Sequence, residues 1–181
     1  MRKLTVITLF LAFVFVPGLG AANIVVNPGF ETGVLNPWVP SGDTTYTDVQ
    51  DWAAHSGSYG AYCGPVIENG YITQTLTTTP GATYDLSFWI WHDQGTGTFF
   101  EVSWGGAPIY SEGPGDYGWT LREFTVTSSG ASTDLMFGFY NLPWFYYLDD
   151  VSVEQVPEPS SLILAGLGVA ALALRRRQRA A

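Results

Sequence analysis

The chain has 181 residues, room for one domain once its end segments are set aside. Its seven bases are segregated: Arg2 and Lys3 open the chain, Arg175, Arg176, Arg177 and Arg179 close it, and Arg122 alone faces all 16 acids between residues 23 and 158. Residues 23–158, with a formal balance of −15, repel nucleic acid and anionic lipid, and leave calcium and neutral glycans as compatible partners.

In chain order, Met1-Arg2-Lys3 precedes an apolar run over residues 4–16, a Pro17-Gly18 break and the small residues Gly20 and Ala22. This is the layout of a secretory signal peptide, too short for a comfortable membrane span, with cleavage expected after Ala22. The exported body is then residues 23–155. Its single cysteine, Cys63, excludes an internal disulfide. Lying among strand-forming residues 59–64, Cys63 reads as a buried small hydrophobe rather than a reactive thiol.

Residues 23–33 read N-I-V-V-N-P-G-F-E-T-G, a short β-branched strand running into a Pro-Gly turn. Asn36-Pro37-Trp38 and Pro40-Ser41-Gly42-Asp43 are turn-rich, residues 44–50 have strand composition, and residues 51–58 read as a loop. Residues 71–77 predict a strand before the Thr79-Pro80-Gly81 turn. Residues 83–92 then alternate: Tyr84, Leu86, Phe88 and Ile90 point one way, and Asp85, Ser87, Trp89 and Trp91 the other. Further strands are expected over 99–104, 109–111, 119–127, 133–140 and 145–154. In the last, the spacing Leu148…Val151 breaks alternation and predicts a bulge at Asp149–Asp150. No part of the body sustains a 3.6-residue apolar period, so the fold class is all-β, a sandwich.

Several segments recur in a familiar order: N-P-G-F-E-T-G at 27–33, A-H-S-G-S-Y at 54–59, I-T-Q-T-L at 72–76, P-G-A-T-Y-D-L-S-F-W at 80–89, Trp119-Thr120…Phe124-Thr125, and Tyr147-Leu148-Asp149-Asp150-Val151. Together they resemble carbohydrate-binding modules of the family 4/9 type over residues 23–154. The resemblance implies a jelly-roll sandwich. It also implies a structural calcium ion held by Glu31 and Asp149, with Asp150 the other possibility. Calcium takes several hard oxygens, which two carboxylates and loop carbonyls would supply. The bland alternative is that these acids are solvated residues at strand ends.

The candidate glycan face is centred on Trp89 and Trp91, which lie opposite the apolar set beside Asp85 and Ser87. Sugar rings stack their C–H bonds on aromatic faces, while carboxylates and hydroxyls take the sugar OH groups. Trp104, Tyr117 and Trp144 are further candidates. The alternative is that both faces of the strand are covered, since most of the body's aromatics must be core. Catalysis is not expected. His55 and His92 lack a nucleophile or an H-x-x-x-H spacing, His55 reads as loop packing, and no Gly-rich phosphate loop opens a helix. Arg122 is expected in a structural ion pair.

The tail reads V-P-E-P-S-S-L-I-L-A-G-L-G-V-A-A-L-A-L-R-R-R-Q-R-A-A from residue 156. Pro157, Glu158 and Pro159 precede an apolar run over 160–174, about 22 Å long as a helix, against a hydrocarbon thickness of roughly 30 Å. Snorkelling Arg175, Arg176 and Arg177 help to close that gap and hold the C-terminus on the cytoplasmic side. The order of parts resembles the PEP-CTERM sorting signal of Gram-negative bacteria. That resemblance implies export, a stay in the inner membrane, cleavage near Pro157–Pro159 by an exosortase, and release to the cell surface or its polysaccharide matrix. An ordinary single-helix tail anchor is the alternative. The sequence therefore reads as a non-catalytic surface or biofilm-matrix protein that binds exopolysaccharide or another glycan. Its rivals are a purely structural surface protein and, third, a glycan-active enzyme, which would need two carboxylates about 5–9 Å apart in a cleft.

Overall fold

Among the described residues ten strands carry the body: β1 (Val39–Gly42), β2 (Thr47–Gln50), β3 (Gly60–Cys63), β4 (Gly70–Thr77), β5 (Thr83–His92), β6 (Phe99–Trp104), β7 (Ala107–Glu112), β8 (Thr120–Thr127), β9 (Ser132–Tyr140) and β10 (Tyr146–Gln155). The computed structural model describes residues 21–92, 98–112 and 118–157, with Gly166 and Gly168. The apolar run of the signal peptide, Tyr117, and Glu158, Pro159, Arg175, Arg176 and Arg177 of the tail lie outside the described residues.

The strands form two antiparallel five-stranded sheets, ordered β1-β4-β9-β6-β7 and β2-β3-β10-β5-β8. Four-strand sets β3-β10-β5-β8 and β4-β9-β6-β7 face each other as a jelly roll, and β1 and β2 each extend one edge. Alternation drives this packing. Tyr84, Leu86, Phe88 and Ile90 of β5 are buried against Ile72, Phe100, Leu135 and Phe137 of the opposite sheet. The Phe88 ring lies 5.0 Å from that of Phe137 and 5.9 Å from that of Phe100. Burying one aromatic side chain in this way stabilises by about 1.5–3 kcal/mol.

Two elements differ from the sequence reading. Residues 23–33 form no strand: Asn23 makes one bridge to Glu154, Ile24 N–H donates to the Val153 carbonyl, and then the backbone turns. Left-handed Asn27 (φ 54) and Phe30 (φ 56) flank Pro28-Gly29 and end any extended pairing. Conversely, the turn-rich Pro40-Ser41-Gly42 belongs to β1, paired with β4 from Val39 to Gly42. All four β1 residues are exposed, so no buried side chain marked the strand, and Pro40 is tolerated because β1 is an edge.

The expected bulge is present. The β10–β5 register shifts between Asp149 and Ser152, and Asp150 is left-handed (φ 50). Tyr146, Leu148, Val151 and Val153 thereby all face the core. Cys63 is fully buried, and desolvation pushes its thiol well above the usual range. Arg122 pairs with Glu112 at 2.8 Å and donates from Nε to the Tyr110 hydroxyl at 2.9 Å.

Pairing also fixes the poles of the sandwich. Gln155 lies opposite Tyr84 at the start of β5, while Tyr146 lies opposite His92 and Cys63. Asn23 beside Glu154 and the end of β10 therefore share one pole, and residues 64–69 and 141–145 turn at the other.

Candidate functional site

The outward face of the β2-β3-β10-β5-β8 sheet carries a row of residues in register: Asp48, Tyr62, Tyr147 and Trp91 on successive strands. Rings continue the row at both ends. Trp91 lies 5.2 Å from Tyr147 and 5.9 Å from Trp119, which precedes β8. At the other end Trp52 packs 4.9 Å from Tyr62 and 5.9 Å from Tyr147. Phe145 joins Trp52 and Tyr62, and Tyr46 meets Phe145. Trp52 is 55% exposed and Trp91 half-buried, whereas Tyr147 between them is only 9% exposed, so the band opens to solvent at its ends and is packed by ring contacts at its centre.

Trp89, two residues back on β5, is stacked by His55 at 4.0 Å and 17°. His55 belongs to the loop 54–58, which three acids clamp onto the sheet. Asp149 is fully buried; its Oδ2 accepts from the N–H groups of His55 (2.7 Å) and Ser56 (3.1 Å), and its Oδ1 from that of Asp150 (2.8 Å). Burial pushes the Asp149 carboxyl up to about 6, against the pull of those three donors. Asp150 Oδ2 lies 2.7 Å from His55 Nδ1, and its Oδ1 accepts from Ser56 Oγ at 2.7 Å. Glu31 accepts from the N–H groups of Ser58 and Tyr59. Gly57, at φ +65, is required here, because a Cβ would sit 2.2 Å from Glu31 Oε1.

Beyond that loop the same outward face turns polar. Asp85 and Ser87 of β5, Glu123 and Thr125 of β8, and Ser152 and Glu154 of β10 line a shallow depression of about 460 Å³. Thr125 Oγ1 donates to Asp85 Oδ1 at 3.2 Å.

The structure thus brings Trp89 and Trp91 to one outward face, with Asp85 in its polar half. Trp104 is a correction: it lies on the opposite sheet, 6% exposed, facing Tyr84 at 5.9 Å and donating from Nε1 to the Thr127 carbonyl at 3.0 Å. Its alternate neighbours Val102 and Phe100 share the core, which is where the period-two pattern of β6 sends it. Trp144 is 50% exposed in the loop between β9 and β10, while its neighbour Phe145 joins the band. Sequence reasoning missed Trp52, Tyr62, Tyr147 and Trp119 as parts of the face. Tyr147 was readable from its alternation with Leu148. Trp52 sits in a three-residue 3-10 turn with no periodicity to mark it.

The acids expected to hold calcium lie around Gly29, with the Glu31 carboxylate turned to the N–H groups of Ser58 and Tyr59. A Cβ on Gly29 would lie 3.4 Å from Asp149 Oδ1, 3.7 Å from Asp150 Oδ1 and 3.7 Å from Glu31 Cγ. Among the described residues, no three His, Cys, Asp or Glu side chains converge as a metal-holding group. Among them, too, no helix is long and apolar enough to cross a membrane.

The opposite outward face is built differently. Ser41, Tyr71, Gly138, Glu101 and Ser111 lie in register across it. The Tyr71 and Phe99 rings close over Gly138, where a Cβ would meet them at 2.9 and 3.2 Å.

A family model described as a carbohydrate binding domain matches residues 22–139. The chain belongs to this family. A second model, the PEP-CTERM protein-sorting motif, matches residues 155–177, so both resemblances read from the sequence hold. No curated protein sequence matches the chain. Among solved structures, this carbohydrate binding domain is similar to TmCBM61 in complex with β-1,4-galactotriose, with 22% identity and TM-score 0.59 over 75% of this chain and 100% of that one. It is also similar to the CBM22-1 xylan-binding domain of Xyn10C from Paenibacillus barcinonensis, with 16% identity and TM-score 0.60 over 77% and 97%. A third likeness is the K1 cleaved adhesin domain of Lys-gingipain from Porphyromonas gingivalis W83, with 13% identity and TM-score 0.55 over 71% and 96%. At these identities the structures share the fold. The family and the sorting motif together make this an exported protein with a glycan-binding domain.

Proposed function

We propose that this is a non-catalytic protein of a Gram-negative cell surface or exopolysaccharide matrix, and that it holds polysaccharide on the aromatic band of its β2-β3-β10-β5-β8 sheet. The observation that carries the reading is the register of Tyr62, Tyr147 and Trp91 on adjacent strands, extended by Trp52 and Trp119. A solvated sheet face gains nothing from aromatics, and rings left partly open on it, with Trp52 exposed at one end and Trp91 half-buried at the other, favour a contact surface. Strand spacing of about 4.8 Å sets successive rings at intervals that suit sugar rings of an extended chain lying across the strands. Asp48, in register with Tyr62 on β2, would take hydroxyl groups beside that row, while Asp85, Ser87 and Thr125 lie farther along the strands, within reach only of a polymer that also runs down the face. An exosortase-type protease, recognising Pro157, Glu158 and Pro159, would release the body from the inner membrane.

Calcium belongs to the same proposal. Glu31, Asp149 and Asp150 fit it in charge and hardness, and a cation beside the buried Asp149 would offset the burial that lifts its carboxyl to about 6. Backbone carbonyls would have to complete the shell. The ion would then pin the loop 54–58, which carries His55 onto Trp89.

The test is a polysaccharide-binding screen on residues 23–155, with and without calcium, using β-1,4-galactan, xylan and the producing cell's own exopolysaccharide. Binding that disappears in a folded Trp89→Ala/Trp91→Ala double variant supports this face. Binding that survives the double variant and falls with Tyr71→Ala would move the site to the opposite sheet, where Tyr71 and Phe99 flank Gly138. No binding at all would leave a purely structural surface protein.

A further inference from the structure

We infer that the glycan face works while the chain is still held in the membrane by its tail, so that polymer capture precedes release. The inference rests on the glycan reading and on the membrane-held tail proposed above, and adds the order of events. It follows from where the chain leaves the sandwich. β10 ends at Gln155, and Val156 N–H still donates to the Thr83 carbonyl at 2.8 Å. Asn23 bridges to Glu154, so both ends of the body exit at one pole.

The tether is short. From Gln155 to Ser160, where the apolar run begins, a fully extended chain covers about 17 Å. A bilayer holding that run therefore lies close to one pole, and the strand register decides which. Tyr62, Tyr147 and Trp91 each sit one residue from the far end of their strands, at Cys63, Tyr146 and His92. Trp91 lies six residue steps along β5 from Asp85, which is about 20 Å along the strand. The far pole is also the apolar one: Tyr46 is 48% exposed, Ile67 83% and Trp144 50%.

Charge works in the same direction. The near half of the face presents Asp85, Glu123 and Glu154. These repel anionic headgroups within a Debye length of about 8 Å and stop the sheet from lying flat on the membrane. The aromatic band is thus turned outward before any cut is made, towards polymer outside the bilayer. A face at the opposite end of these same strands would be occluded until release. In this chain, cleavage is not what exposes the binding face.

The experiment uses the full chain with Glu158→Ala and Pro159→Ala, to keep the tail uncut, inserted into phosphatidylethanolamine–phosphatidylglycerol vesicles. Outward-facing chains are counted by protease digestion. Residues 23–155, which contain all ten strands, serve as the released reference. Fluorescent galactan, xylan and the cell's own exopolysaccharide are the probes, read by co-flotation. The expected result is the same polymer preference with Kd within threefold of the released body, and about thirtyfold weaker binding in both forms with Trp91→Ala. A tenfold or greater weakening in the anchored form alone overturns the inference and leaves the glycan reading intact. Failure of the released body to bind any probe overturns both.

Discussion

Along β5 the outward residues run Asp85, Ser87, Trp89, Trp91, and along β4 of the other sheet they run Thr77, Thr75, Thr73, Tyr71. Both strands alternate faithfully, and both bury their other side in one core. The β4 face shows what a solvated sheet surface requires: hydroxyls that bond across strands, as Thr75 Oγ1 does to Asp134 Oδ1 at 2.6 Å. Threonine satisfies strand propensity and hydration together. The β5 face carries aromatics in register with those of β3 and β10, which folding alone does not demand. The difference between the two outward faces is what favours the β5 sheet over the β4 sheet, with its Tyr71 and Phe99, in the glycan proposal.

The largest effect is expected where tryptophan belongs to the fold. Trp104→Ala should cost about 3–5 kcal/mol in denaturant unfolding, because a buried indole is lost and its cavity remains. The folded fraction should bind glycan as before. Next is calcium: an ion at a hundred times its Kd adds about 2.7 kcal/mol of stability. Chelation should therefore lower Tm, Asp149→Asn should abolish that response, and terbium luminescence should report the same site independently. A Tm indifferent to chelation removes calcium from the proposal. Trp91→Ala follows, with about 2 kcal/mol lost from binding, roughly thirtyfold in Kd by calorimetry, and little change in Tm. If Trp91→Ala bound normally and Tyr71→Ala did not, the contrast between the two faces would be reversed.

Much of this was legible in the sequence because alternation is a strong local signal. It fixed β5, placed Trp89 and Trp91 outward, and gave the bulge at Asp149–Asp150 from a single broken period. The same rule applied to β6 would have sent Trp104 inward with Phe100 and Val102. β1 was illegible for a physical reason: an exposed edge strand takes its order from hydrogen bonds to β4, and no side chain records that. Residues 23–33 misled in the opposite sense, because β-branched composition says nothing of the left-handed turns at Asn27 and Phe30. The full extent of the face was out of reach. Trp52 comes from a loop and Tyr62 from a four-residue strand, and only the register of β3 on β10 brings them together.

The smallest expected effect tests how the far rim of the aromatic face is held. Asp43 Oδ2 accepts from the N–H groups of Val66 and Ile67, at 2.7 and 2.8 Å, and Oδ1 accepts from the hydroxyl and N–H of Thr45, at 2.6 and 3.0 Å. The Thr45 hydroxyl first, and then these backbone donors, hold its carboxyl well below the usual carboxylate range. The sign follows from that direction. The folded state favours the ionised form more than the unfolded chain does, so the stabilisation is complete above the unfolded value of about 3.9 and is lost as pH falls through the lower folded one. Asp43→Asn keeps an acceptor but removes the charge. Its Tm should lie slightly below the wild type at pH 7, and the two curves should converge below pH 4 as the wild type falls more steeply. Tyr46 and Ile67 ride on the segments that Asp43 ties together, so the variant should also weaken glycan binding by a small factor at pH 7. Parallel Tm curves down to pH 2 would mean that the rim is held by packing, through the Tyr46–Phe145 contact, and not by the buried charge.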